Sequence, residues 1–280
     1  MSASLLISTA DVAGVATMLD WAADEGWNPG LHDAAAFHAA DPEGFLIGSL
    51  DGEPVAAISL VRYDPAFAFL GLYLVRPGWR GLGHGMAMWR AAIAHAGDRI
   101  IGLDGVVARQ ADYARSGFTL VRRNVRYGGT GIGGRVPHDL VPLDEIEAEV
   151  LRAYDRDIFP ASRAAFLAAW AAMPGSRGLA ALDGGRLVGY AVARPCRTGV
   201  KVGPLFANDP SVAESLFAGL SAWAGTQPIF LDVPESNEHA RLLAERHRLE
   251  PAFETARMYA GGVPVEPVER IYGVTTFELG

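Results

Sequence analysis

Val75-Arg76-Pro77-Gly78-Trp79-Arg80-Gly81-Leu82-Gly83-His84-Gly85-Met86 is the stretch on which the fold turns. The residues before it, Ala66 to Val75, form the most apolar run of the chain, bounded by Pro65 and Arg76. That length suits a buried strand and is too short to span a membrane. After it, apolar residues recur at helical spacing from about Gly83 to His95. Glycines between a strand and a helix let the backbone turn tightly and aim several N–H groups at one point. The helix start adds unpaired N–H groups and the positive end of its dipole. Such a loop is a cradle for a pyrophosphate. A dinucleotide fingerprint, G-x-G-x-x-G, is met at Gly81 and Gly83, with Asp104 at the distance of its acidic residue, but the third glycine stands at 85 instead of 86. The G-x-G-x-G of an S-adenosylmethionine-dependent methyltransferase does fit Gly81, Gly83 and Gly85.

Both of those folds alternate strands with helices, and the segments upstream do not. A helix is expected from about Asp11 to Glu25, capped by Ser8 or Thr9, with Val12, Val15, Leu19 and Ala22 facing the core. A short helix fits Asp33 to Ala40. Phe45–Leu50 and Val55–Arg62 then read as strands joined by Asp51-Gly52, a hairpin turn. Two hairpin-linked strands before the glycine loop indicate a mainly antiparallel sheet. Downstream, Ile100–Leu103 reads as a strand, Gln110–Ser116 as a helix and Leu120–Tyr127 as a strand. Gly128-Gly129-Thr130-Gly131-Ile132-Gly133-Gly134 reads as a linker. Beyond it, helices are expected near Leu143–Tyr154 and Ser162–Ala172, and strands near Gly178–Leu182 and Leu187–Arg194, with Asp183-Gly184 between them. Leu182-Asp183-Gly184 repeats Leu50-Asp51-Gly52, and Ile229-Phe230-Leu231-Asp232 repeats Ile101-Gly102-Leu103-Asp104. The order helix, helix, hairpin, strand, helix, strand occurs twice. The chain therefore reads as two copies of one α+β domain, residues 1–128 and 140–280, joined by 129–139.

Here the sequence resembles the GNAT N-acetyltransferase superfamily. Arg80, Gly83 and Gly85 match its acetyl-CoA signature, an arginine or glutamine, two residues, glycine, one residue, then glycine or alanine. Tyr113-Ala114-Arg115-Ser116-Gly117-Phe118 matches its second signature, a tyrosine four residues before Gly-Phe. Gly26-Trp27-Asn28-Pro29-Gly30, Leu103-Asp104-Gly105-Val106, Leu231-Asp232-Val233-Pro234-Glu235 and Arg257-Met258-Tyr259 are similar to a bacterial subgroup in which a GNAT domain precedes a degenerate copy. The resemblance implies two tandem GNAT-like domains, each a twisted sheet flanked by helices, and an acetyl-CoA-dependent enzyme that acetylates a primary amine, with a small molecule as the expected acceptor. It implies cofactor contacts from Leu74, Val75, Arg80, Gly81, Leu82, Gly83, His84, Gly85 and Met86. Tyr113 would serve as the acid for the departing thiolate. Many relatives carry a basic glutamate on the strand before the loop, whereas Phe69-Leu70-Gly71-Leu72-Tyr73-Leu74 has none. Asp104, at the end of its strand, is the first candidate base, with Asp33, His32 or a water behind it. Trp27, Asn28 and Phe37 fall where the superfamily builds its acceptor wall. Asp232, Glu235 and Asn237 are candidates from the second copy for holding a cationic amine. That copy has Asn208-Asp209-Pro210 where the first has its glycines, and Arg241 where the first has Tyr113, so one acetyl-CoA per chain is expected.

Composition narrows the alternatives. Half of the residues are hydrophobic and the formal net charge is −8, against a phosphate-backbone binder. Cys196 is the single cysteine, so no intramolecular disulfide or thiolate cluster can form. The seven histidines show no zinc-binding pairing, and no metal is expected. Without a basic, apolar leader at Met1-Ser2-Ala3-Ser4-Leu5, a cytoplasmic location is expected. The rival readings are a CoA-binding sensor or scaffold without turnover and a methyltransferase. Oligomeric state is open.

Overall fold

The computed structural model describes residues 4–131 and 140–280. The first copy runs β1 (Leu6–Thr9), α1 (Val12–Asp24), α2 (Asp33–Ala40), β2 (Phe45–Leu50), β3 (Glu53–Arg62), β4 (Phe67–Val75), α3 (His84–Ala96), β5 (Ile100–Val106), α4 (Gln110–Arg115) and β6 (Thr119–Thr130). Ser8 and Thr9 do not cap α1; they lie in β1, paired with β2. Asp11 is the cap, its Oδ1 accepting from Gly14 N at 2.8 Å. Val15, Leu19 and Ala22 are buried, while Val12, in the first turn, is exposed. Gly128, Gly129 and Thr130 complete β6, so the expected linker begins inside a strand. Its part at 132–139 lies outside the described residues.

The second copy repeats the order: β7 (Leu140–Pro142), α5 (Ala148–Arg156), α6 (Ala164–Ala171), β8 (Arg177–Asp183), β9 (Arg186–Pro195), β10 (Val200–Ala207), α7 (Pro210–Ala224), β11 (Pro228–Pro234), α8 (Glu238–Arg246) and β12 (Glu250–Ala260). The helix expected from Leu143 starts later. Leu143–Glu145 is a single 3-10 turn before α5. One strand is added after the repeat, β13 (Ile271–Gly273).

All the strands join one mixed sheet in the order β1-β2-β3-β4-β5-β12-β6-β11-β10-β9-β8-β7, with β13 on β10. The β4–β5 and β10–β11 pairs are parallel and the others antiparallel. The last strands are exchanged. β12 of the second copy pairs β5 of the first, and β6 of the first pairs β11 of the second. Residues 1–128 alone thus lack the strand that lies between β5 and β6. Each exchanged strand carries a buried arginine opposite a buried aspartate. Arg257 faces Asp104 in register and pairs with it at 2.6 Å; Arg126 faces Asp232 and pairs with it at 2.6 Å. Buried pairs add little net stability over apolar packing, but a mispaired register would leave four charges buried without partners.

Where β4 and β5 part, the sheet opens. They pair only from Phe67↔Ile100 to Leu70↔Leu103, then separate. The β3–β4 register shifts between Ala57 and Ser59, and Leu72 takes a left-handed φ of 44° at that bulge. In the second copy β10 and β11 part in the same way after Val202↔Leu231, but there the chain's own tail fills the gap. β13 pairs Leu205 and Phe206 of β10, and Val274 N donates to Asp232 O at 2.8 Å. Residues 271–280 are buried throughout. The tail presses on one glycine in each copy. A Cβ on Gly203 would lie 2.4 Å from the Thr275 carbonyl oxygen, and one on Gly71 would lie 2.1 Å from that of Glu278. The tail thus plugs the second opening and ends beneath the first.

Candidate functional site

The open gap between β4 and β5 is a cleft of about 900 Å3. Its mouth is the glycine loop. Gly83 is the N-cap of α3; it has a φ of 88° and supplies no side-chain cap. The N–H groups of the first helical turn, at His84, Gly85 and Met86, therefore lack intrahelical acceptors. A Cβ at Gly78, Gly81 or Gly83 would meet no atom within 4 Å, so the space above the loop is open. Gly85 differs, since a Cβ there would stand 2.8 Å from the Tyr73 hydroxyl. This is the form a phosphate cradle needs: converging donors, a positive dipole end and room for the anion. Arg80 anchors the mouth. Its Nε donates to Val75 O at 2.7 Å, and its Nη2 pairs with Glu25. Both side chains are about a third to half exposed, and a pair so placed is worth about 0–1 kcal/mol, little hindrance to an incoming phosphate. Leu74, Val75, Gly81 and Met86 also line the cleft. The side chains of Leu82 and His84 do not: Leu82 is exposed and His84 meets the edge of Trp79.

Tyr113 stands inside the cleft on α4. Its ring packs against Gly105, where a Cβ would come within 2.3 Å of Tyr113 Cε2, and neighbours Trp89 at 5.9 Å between centroids. Burial, helped by Tyr73, pushes the Tyr113 hydroxyl up to about 12. It is a fully protonated donor at neutral pH.

The inner end is built by both copies. Trp27 enters after α1, Phe253 and Thr255 on β12, and Phe277 and Glu278 on the tail. Arg126 ties these together: it stacks on Phe277 at 4.8 Å and Phe253 at 5.8 Å, and its Nη1 donates to Trp27 O at 2.8 Å.

Several expected residues have other partners. Asp104 borders the cleft, but its carboxylate is fully buried, taking Arg257 Nη2 at 2.6 Å, Arg257 Nε at 3.0 Å and Asn124 Nδ2 at 2.8 Å. Asp232 is likewise held by Arg126; burial pushes its carboxyl up, and the Arg126 pair outweighs this and lowers it. Asp33 is fully buried against Arg194 and accepts from Gly30 N. Asn28 bonds Thr198 N and O across the two copies. Phe37 is core, stacked between Phe45 and Trp170. Asn237 caps α8 and holds the carbonyls of Val268, Glu269 and Ile271, and Glu235 is exposed outside the cleft. His32 precedes α2 without making a cap bond. Among the described residues, no group of three His, Cys, Asp or Glu side chains could hold a metal, and no helix is long and apolar enough to cross a membrane.

Phe253, Thr255, Phe277 and Glu278 escaped sequence reasoning. Phe277 and Glu278 follow the last repeated element, where no periodicity marks them, and the arginines of the exchanged strands gain meaning only once their register is known.

The chain is similar to known proteins along nearly its whole length. Residues 13–118 match the family described as Acetyltransferase (GNAT) family, and residues 151–273 match the Acetyltransferase (GNAT) domain. Over 268 residues the chain is 32% identical to the holothin acyltransferase of Pseudoalteromonas sp. (strain SANK 73390), covering 93% of this chain and 90% of that protein. A solved Pyrococcus horikoshii structure described as an acetyltransferase superposes with a TM-score of 0.82 at 24% identity, over 99% of this chain and 96% of its own. A tandem GNAT protein from the clavulanic acid biosynthesis pathway superposes at 0.63 and 16% identity, over 94% of this chain and all of its own. At these identities the two solved structures speak to the fold alone.

Proposed function

The chain belongs to the GNAT acetyltransferase family and is an acyltransferase, and from that premise we propose that it moves an acetyl group from acetyl-CoA to a primary amine of a small molecule. One contrast carries the reading. In the first copy the helix start is uncapped, its loop is open and the strands beside it part onto a cleft. In the second copy Asp209 caps α7, accepting from Ser211 N at 2.8 Å and Val212 N at 3.1 Å, and the tail closes the gap. Acetyl-CoA, when bound, supplies the thioester carbonyl carbon that the amine attacks. The N–H groups at 83–86 and Arg80 would hold its phosphates. The β4 backbone at Leu74 and Val75, past the bulge, would face the carbonyl oxygen, where a donor stabilises developing charge. Tyr113, too weak an acid to ionise near neutrality, would donate a hydrogen bond to the departing sulfur. The second copy serves the acceptor end through Phe253, Thr255 and Phe277. Asp104 and Asp232 would hold the exchanged strands in register instead of touching the amine.

Titration calorimetry tests the donor half. One acetyl-CoA per chain is expected, and Gly83→Val, which puts a branched side chain where phosphate would lie at a positive φ, should weaken binding at least about tenfold. Two equivalent sites, or unchanged affinity in the variant, would refute the cradle. CoA release across a panel of amines, holothin among the first, tests the acceptor half.

A further inference from the structure

We propose that Glu278, carried into the first copy's cleft by the tail that follows the second copy, accepts the proton that the amine loses. This rests on the acyl-transfer reading above and supplies the base that β4 lacks: Phe67–Val75 holds no carboxylate. Glu278 lines the cleft beside Leu70–Leu74, Trp27, Phe253 and Phe277. It is 4% exposed, and its Oε2 is shielded from solvent with no hydrogen-bond partner. Buried acceptors are nearly always satisfied, and one left open in a cleft awaits a donor. The other buried carboxylates differ. Among the described residues, Asp33, Asp41, Asp155 and Asp232 are buried and each is paired with an arginine, whereas Glu278 has no ion-pair partner.

Its position is fixed by backbone contacts. Gly71 is the only residue type that leaves room for the Glu278 carbonyl. Leu279 N donates to Thr276 Oγ1 at 2.9 Å, Gly280 N to Thr276 O at 3.0 Å, and Tyr63 Oη to Leu279 O at 2.9 Å. The charged and titratable groups that feel Glu278 are Arg126 on β6, Arg194 on β9 and Lys201 on β10. Asp232 and Asp33 stand beside these, with Cys196. Arg126 is claimed by Asp232, whereas Arg194 gives only its Nε to Asp33, and its Nη1 and Nη2, like Lys201 Nζ, are buried without a hydrogen-bond partner. Among the described residues none of these cations comes within ion-pair distance of Glu278, which leaves its carboxylate for an amine at the cleft's inner end. In the step, the amine nitrogen forms the C–N bond as the C–S bond breaks. The ammonium that arrives at neutral pH first gives one proton to Glu278, which returns it to water; the second nitrogen proton, lost on C–N bond formation, goes to solvent, and the sulfur, leaving as thiolate beside Tyr113, takes a proton from solvent.

The test is Glu278→Gln beside Glu278→Asp in the full chain. For Glu278→Gln we expect acetyl-CoA affinity within about twofold of wild type and kcat/KM lower by about 10²–10⁴ at neutral pH. The deficit should narrow at alkaline pH, where the amine arrives neutral. The panel amine with the fastest turnover, titrated calorimetrically into acetyl-CoA-free protein, should bind at least about tenfold more weakly to the variant. Should Glu278→Gln not fold, Glu278→Asp, one methylene shorter, should still lose at least about tenfold in kcat with acetyl-CoA affinity kept. Wild-type turnover with an unaltered rate and pH profile in either folded variant overturns the role of Glu278 alone. Failure of the wild type to bind acetyl-CoA overturns this inference together with the acyl-transfer reading beneath it.

Discussion

Replacing Gly71 by alanine should unseat the tail without touching the glycine loop. The added Cβ would stand 2.1 Å from the Glu278 carbonyl oxygen, 2.9 Å from its carbonyl carbon and 3.1 Å from its Cα. Ordinary contact begins at about 3.4 Å, so the two backbones must part by roughly 1.3 Å. Neither can yield by turning a side chain. Gly71 is paired with Ser59 in the sheet, and the tail is tied by Val274 N to Asp232 O and by Tyr63 to Leu279 O. Overpacking of this kind costs about 1–3 kcal/mol. For a chain of this size, that is a fall in Tm of roughly 2–12 °C. Calorimetric melting reads the cost, and amide hydrogen exchange across 274–280 shows whether the tail carries it. Acetyl-CoA affinity should hold, while kcat drops by up to about 10²-fold as the Glu278 carboxylate moves by an ångström. Gly78→Ala is the control, since its Cβ meets nothing within 4 Å and its φ is not positive. Gly71→Ala with wild-type melting and unchanged exchange in the tail would refute the reasoning.

Tyr113→Phe should lower kcat by about 10²-fold or more with acetyl-CoA affinity unchanged. Because burial pushes Tyr113 up to about 12, the wild-type rate should show no alkaline limb from this group below about pH 11; full activity in the variant would return Tyr113 to packing. Acid stability follows from Asp232, held by Arg126, and from Glu266, which is buried against Arg122 at 2.8 Å. Burial raises both, and arginine pairs outweigh it, so each carboxyl is lowered in the folded chain. A lowered carboxyl adds stability above its unfolded value near 4, and that contribution is lost as pH falls through the folded value. Melting temperature should therefore drop steeply below about pH 4, and Asp232→Asn should flatten that slope; an unchanged slope would show that the pair does not drive acid unfolding.

Much of the first copy was legible because its signals are local. The Asp51-Gly52 turn, the apolar run into β4 and the uncapped glycine loop are set by neighbours within a few residues, and the duplicated turn exposed the second copy. Helix starts were less legible, since Ser8 and Thr9 offer a cap as good as Asp11 until pairing with β2 draws them into a strand. Of the cleft, the mouth and Tyr113 could be read and the inner end could not. Asp104 looked like a base because strand-end carboxylates often are; Arg257, 153 residues away, claims both of its oxygens.

By itself, the sequence determined the two-copy α+β plan, the open glycine loop before α3 and its replacement in the second copy, because each depends on backbone freedom and side-chain type within a short window. Only the tertiary structure decided that β6 and β12 change places, that Asp104 and Asp232 are held in ion pairs, and that a tail beyond the repeat closes one opening and brings Glu278 to the other. Those outcomes depend on which distant strands find complementary register and charge, and no local pattern in the chain encodes that choice.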